Sequence, residues 1–277
     1  MSPGKRPPFP LPLLRFWCMR ILPVWCLIAI MIFLIQIAVC GIVHDNEKVK
    51  MFLSFLELLP SVFKTALGGE ELQATNVSGL IAIGYQHPLV LILYMLFAVG
   101  VPTRLLAGEV QNGTMELILS LSATKTQVYV CAGILTIVGM FALVLVMLLG
   151  TYVGTSLYRF DEEIPLYPFF RIAIIGGLLA SAVGAISLLA AALFRRRSTA
   201  VGVTVAYLVV NYFACLVAEL WPGMEFLGPT TLFWYIDGPK ILHQSTWPLS
   251  DISVLTSILV TAAVAGGLIW QRRDLPL

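Results

Sequence analysis

The residues able to do chemistry in this chain are few, and the densest group falls in one short stretch. Glu109-Val-Gln-Asn-Gly-Thr-Met-Glu116 sets two carboxylates, a glycine and a hydroxyl within about two helical turns, between long apolar runs of a chain that is 59% hydrophobic. A membrane-embedded chain tolerates charge where it meets water, so this stretch reads as an aqueous surface and a candidate docking site. Gly113 permits a bend or a close backbone approach, Thr114 can cap the turn that follows, and Glu116 falls in that turn's first residues, at the favourable end of the helix dipole. Other candidates are scattered. His44, His87 and His243 lie far apart in sequence and read as solvated loop residues rather than metal ligands, so no metal site is expected. Cys18, Cys26, Cys40, Cys131 and Cys215 form no C-x-x-C pair and read as small hydrophobes. There is no His-Glu-x-x-His helix, no Gly-x-Ser-x-Gly elbow and no Gly-x-x-x-x-Gly-Lys-[Ser/Thr] loop. The expectation is a non-enzyme with no catalytic residues and no cofactor of its own, in which any ATP-driven work is done by a partner that binds the nucleotide.

The elements that must position the acidic stretch follow from composition. With 12% charged residues and a mean hydropathy of +0.92, the 277 residues fit an all-α polytopic membrane protein. Six segments of crossing length can be drawn, at about 21–43, 88–101 with extension on both sides, 129–157, 167–194, 199–220 and 252–270. The expected organisation is a basic amphipathic segment over 1–20 followed by one six-helix membrane domain over 21–277. The first apolar run is too long for the core of a cleaved signal peptide and is read as a retained helix. A long outer loop spans 44–87, a connector 103–128, and an outer loop rich in Trp, Pro and Gly spans 221–248. Within the first loop, 49–59 reads as a short helix on the membrane surface, and Asn76-Val-Ser matches a glycosylation acceptor. The 221–248 loop is too polar to cross and is a candidate re-entrant segment.

Charge sorting gives an orientation. If the N-terminus is cytoplasmic, eleven of the 17 basic residues fall inside, among them Arg15, Arg20, Arg104, Lys125, Arg195, Arg196, Arg197, Arg272 and Arg273. An excess of Lys and Arg marks cytoplasmic segments, and an even number of spans puts both termini on the same side. Both ends are therefore expected in the cytoplasm. No acid or base sits at mid-span, which argues against an ion-coupled transporter. Gln36 in the first span and Asn211 in the fifth are the clearest polar residues in apolar surroundings; each either faces a translocation path or makes an interhelical hydrogen bond. Gly176, Ala180 and Gly184, and Ala262 with Gly266 and Ala263 with Gly267, have the four-residue spacing of small residues that lets membrane helices approach.

Residues 107–128, and in particular Glu109, Gly113, Thr114, Glu116, Leu117, Leu119 and Ser120, resemble the permease subunits of type-2 ABC exporters. That family's pattern is Glu, three residues, Gly-Thr and a Leu-rich stretch ahead of the next span. The C-terminal Trp270-Gln-Arg-Arg-Asp274 is similar to the family's habitual ending, and the six spans and basic N-terminal segment agree over nearly the whole chain. Ser122 stands where the family usually has Pro, and Cys131-Ala132 where it commonly has Gly-Lys. The resemblance implies a multi-pass permease of a bacterial cell (inner) membrane, surrounded by lipid. It implies pairing with a second permease copy or paralogue, binding of a separate ABC-type ATPase subunit, and export of a cargo. It makes 103–128 a cytoplasmic coupling helix, with Glu109, Gly113, Thr114 and Glu116 as the ATPase-coupling residues, and implies no nucleic-acid partner. The rival reading is a non-transporting membrane scaffold or assembly factor of the same topology.

Overall fold

In the computed structural model the described residues are 10–45, 47, 49, 51, 54, 77–120, 123–160, 163–236, 238–243 and 246–274. All regular structure among them is helical. In chain order these are α1 (Leu11–Val43), α2 (Val77–Gln86), α3 (Pro88–Thr103), α4 (Thr114–Ser120), α5 (Lys125–Leu157), α6 (Leu166–Leu193), α7 (Arg197–Leu220), α8 (Gly238–His243) and α9 (Leu249–Arg272). Six helical stretches are long and apolar enough to cross a membrane: α1, the run Val77–Gln111 that contains α2 and α3, α5, α6, α7 and α9. The chain is therefore built as a multi-pass helical membrane protein, as its composition requires. Asn76, Ser122 and most of the 49–59 segment lie outside the described residues, although Val49, Met51 and Ser54 are helical.

The N-terminal residues 13–20 do not form a separate element. They open α1, which runs unbroken for 33 residues, about 50 Å, through Pro23. A hydrocarbon core of about 30 Å covers only part of that length, so α1 extends beyond it at one end or both.

α6 is the hub. Its crossing window is 78% buried, against 17% for α9 and 28% for α7, which present most of their surface outward. Small residues make this possible. A Cβ on Gly184 would run into Thr136 of α5, and one on Gly177 would stand 3.0 Å from the Phe141 ring, so α5 packs where α6 has no side chain. From the other side, a Cβ on Gly266 of α9 would meet the Leu189 Cα of α6 at 3.0 Å. Without a hydrophobic drive between helices in lipid, this close backbone contact supplies the dispersion energy that holds them. The four-residue stripes are thus packing faces, with one exception: Gly176 faces Ile236, from the segment after α7.

That segment turns back into the bundle. Asn211 Oδ1 accepts the Leu232 backbone N–H at 2.8 Å, nine residues and about 14 Å below the end of α7. Gln86 Nε2 donates to Ile236 O at 2.7 Å, and Arg171 Nη1 to Thr246 O at 2.8 Å. Non-helical backbone survives at such depth only when its polar groups are bonded inside protein, and these three side chains do that.

Candidate functional site

The connector between the second and third spans begins inside the bundle. Pro102, in the last turn of α3, cannot donate to the carbonyl four residues back, and its ring crowds that carbonyl. The helix responds by widening into a π-turn over Arg104–Gly108, closed by one α-turn over Glu109–Gln111. Thr103 Oγ1 donates to Val99 O at 2.6 Å, satisfying a carbonyl near the disruption. Leu105, Leu106, Ala107 and Gly108 are buried, so this part is a continuation of the second span and not a helix lying on the surface.

Glu109 is where the structure departs most from the sequence reading. The residue is 3% exposed, not a solvated docking group. Its Oε1 takes an ion pair with Arg20 Nη1 of α1, and its Oε2 accepts from Thr114 Oγ1. The Thr114 hydroxyl also reaches Glu109 O at 3.2 Å. Thr114 therefore bonds backward, across the turn, where a forward cap of α4 was expected. A carboxylate out of water needs its oxygens occupied, and here a cation from another helix and a hydroxyl five residues on share the task.

Gly113 sits in the left-handed region at φ +72°, the conformation that lets the chain reverse between Gln111 and α4. No heavy atom lies within 4 Å of a Cβ built there, so close backbone approach plays no part and the backbone angle alone selects glycine. Glu116 is exposed in the first turn of α4, as expected. Met115 is buried, and Ile118 and Leu119 pack against the core. The outward tip of the connector consists of Gln111, Asn112, Gly113, Thr114, Glu116 and Leu117, the last 64% exposed.

Two further clamps fix this end. Gln111 Oε1 accepts the Arg197 backbone N–H of α7 at 2.9 Å. Behind it, Arg273 Nη1 donates to Ala191 O and Ala192 O at 3.1 and 2.9 Å, capping the last carbonyls of α6. Trp270 Nε1 donates to Lys125 O at 2.9 Å, Lys125 Nζ donates to Arg273 O at 2.7 Å, and the Arg273 guanidinium lies 5.6 Å over the Trp270 ring. The C-terminal Trp270-to-Arg273 sequence thus ties α9 to the start of α5 and the end of α6. Through these contacts Arg20, the connector, Arg197 and Arg273 come together at one end of the bundle, which is the grouping that charge sorting assigned to one side.

Gln36 and Asn211 are both buried and bonded within the chain. Gln36 Nε2 donates to Thr151 Oγ1 at 3.0 Å and to Ile81 O at 3.5 Å, while Tyr85 Oη and Thr151 Oγ1 share a 2.6 Å hydrogen bond. The pairing links α1, α2 and α5, and leaves Gln36 Oε1 buried without a partner. Asn211 holds the segment after α7 through the Leu232 N–H. No group of three or more His, Cys, Asp or Glu suited to a metal occurs among the described residues.

Sequence reasoning missed Arg20 as the partner of Glu109 and Arg197 as that of Gln111. Their separations of 89 and 86 residues carry no local periodicity. It also passed over Arg171, 3% exposed in the second turn of α6, although a lone basic residue within an apolar span is a signal. No protein-family model matches the chain, and no curated protein matches it at a significant level.

Proposed function

We propose that the chain is the membrane-spanning permease subunit of an ATP-driven exporter of the type-2 ABC class. In this reading it pairs with a second permease copy or paralogue and is driven by a separate ATPase subunit in a bacterial cell membrane. The observation that carries the reading is the connector. Its tip is polar and exposed, while its root is an unbroken part of the second span and is bonded to the first and fifth. A push on the tip is therefore delivered to three spans at once: to α3 through the π-turn, to α1 through Arg20 and to α7 through Arg197. The N-terminal turns of α1 become part of the lever through the same ion pair. Among the four residues assigned to coupling, Glu116 and the Gly113-Thr114 tip meet the partner, whereas Glu109 transmits from beneath.

The test is reconstitution with a candidate ABC-type ATPase subunit. The purified chain alone is expected to hydrolyse no ATP, and with the ATPase to form a stable complex whose hydrolysis responds to the permease. Glu116→Lys and Leu117→Asp change exposed positions only, so both variants should keep wild-type abundance and melting temperature while losing the complex. ATP hydrolysis by the homogeneous chain, or full coupled activity in both tip variants, would refute the proposal.

A further inference from the structure

Three consecutive arginines, Arg195, Arg196 and Arg197, cross from the end of α6 to the start of α7, and all three are exposed. Among the described residues no carboxylate pairs with any of them; the ion pair that does form, Arg20 with Glu109, lies elsewhere on the rim. The helix ends do not balance this charge. The last carbonyls of α6 are already taken by Arg273, and Arg196 and Arg197 stand at the N-terminal end of α7, whose first turn holds no acid. Arg273 adds a fourth cation to the corner, and its Nη2 is buried without a partner. Burial first, and the nearby Arg195 charge second, push the Arg273 guanidinium below its ordinary pKa, so Arg195 lies close enough to be felt there.

The surroundings tell what neutralises the corner. Leu193, just before the arginines, and Val203 and Val205, just after, are exposed apolar residues on helices that cross the membrane. Val203 lies six residues, about 9 Å, along α7 from Arg197. The guanidiniums therefore stand beside outward-facing apolar surface, an arrangement that suits the edge of a lipid bilayer.

We propose that Arg195, Arg196, Arg197 and Arg273 form a binding site for anionic phospholipid headgroups, and that its occupancy steadies the connector. The second half rests on two contacts of Arg197: its N–H donates to Gln111, and its Cδ lies 3.5 Å from where a Cβ on Gly108 would be. A headgroup phosphate held by these side chains fixes the start of α7 and, through it, the root and tip of the connector. The site requires no ATPase, so it stands or falls separately from the transport reading.

The experiment uses the full chain in phosphatidylcholine nanodiscs with and without phosphatidylglycerol. Retained lipid is read by mass spectrometry and amide exchange over residues 109–117. Phosphatidylglycerol should be retained preferentially and should slow exchange in the connector. At about fivefold in affinity for each arginine, the Arg195→Gln/Arg196→Gln/Arg197→Gln variant should lose about a hundredfold of that preference. The corresponding triple Lys variant should keep most of it, which guards against simple misfolding of the Gln form, and Arg15→Gln should leave it intact. Equal retention of the two lipids by the wild type overturns the site. So does equal slowing by inorganic phosphate or by polyglutamate in pure phosphatidylcholine, which would point to a free anion or an acidic polypeptide instead. Preferential retention with unchanged exchange at 109–117 overturns the link to the connector.

Discussion

The ion pair between Arg20 and Glu109 predicts an asymmetry that a solvated connector could not produce. The two side chains are unequally buried, 35% exposed for Arg20 and 4% for Glu109. Arg20→Ala leaves a carboxylate out of water with only the Thr114 hydroxyl to answer it, and removing one partner of a buried pair costs about 3–5 kcal/mol. Glu109→Gln leaves instead a guanidinium already touching solvent, able to rehydrate, next to an amide that still accepts hydrogen bonds. The loss there is that of one charge-assisted bond less its recovery in water, about 1 kcal/mol. The double variant, Arg20→Ala with Glu109→Gln, should recover most of the Arg20→Ala cost, giving a coupling energy of about 3 kcal/mol. Glu109→Lys places two cations together at a buried position and should lower the yield of folded protein rather than merely alter docking. The assay is reversible unfolding in mixed micelles with increasing sodium dodecyl sulfate, read by tryptophan fluorescence. If Arg20→Ala costs no more than Glu109→Gln, or the coupling is below about 0.5 kcal/mol, the carboxylate is hydrated and the clamp is not a structural element.

Other consequences are smaller and separable. Gly113→Ala should cost about 1 kcal/mol from the positive φ alone, since no neighbour obstructs the new methyl, and Gly113→Asn should cost less; thermal denaturation in detergent ranks the two, and equal effects would show that the turn has relaxed. Gly266→Leu forces α9 off the Leu189 backbone and the Tyr129 hydroxyl, and should destabilise by about 1–3 kcal/mol, whereas Gly202→Leu, on open surface, should be neutral in the same measurement. Thr151→Val leaves Tyr85 without this partner and Gln36 Nε2 with only its 3.5 Å bond to Ile81 O, and should cost about 1 kcal/mol. Gln36→Leu, which also removes an unpartnered buried oxygen, should cost less, and the reverse order in a thermal melt would contradict the hydrogen-bond assignment.

Much of the architecture was legible from apolar run length. The six drawn segments coincide with the six long helices to within a few residues at most ends, because a stretch that must satisfy every backbone group inside lipid has little choice but to be helical. The second span, drawn at 88–101 with extension on both sides, runs over Val77–Gln111; Pro88 opens α3 and Pro102 is absorbed by the π-turn. Gly113 was legible too, a glycine between polar residues at a reversal. Which charges share an end of the bundle was also accessible, because the number of crossings fixes it.

What the sequence could not determine was whether Glu109 faces water. Its neighbours Gln111, Asn112 and Thr114 are polar and exposed, so local composition points outward. Only the tertiary arrangement, which carries α1 past the end of α3 and places Arg20 against the carboxylate, turns it inward. The same holds for the depth of Leu232 beside Asn211 and for the capping of α6 by Arg273. Hydropathy and periodicity record how each helix meets its solvent; a polar group's partner depends on which helices become neighbours, a choice made by the small residues of α6 and α9 acting together.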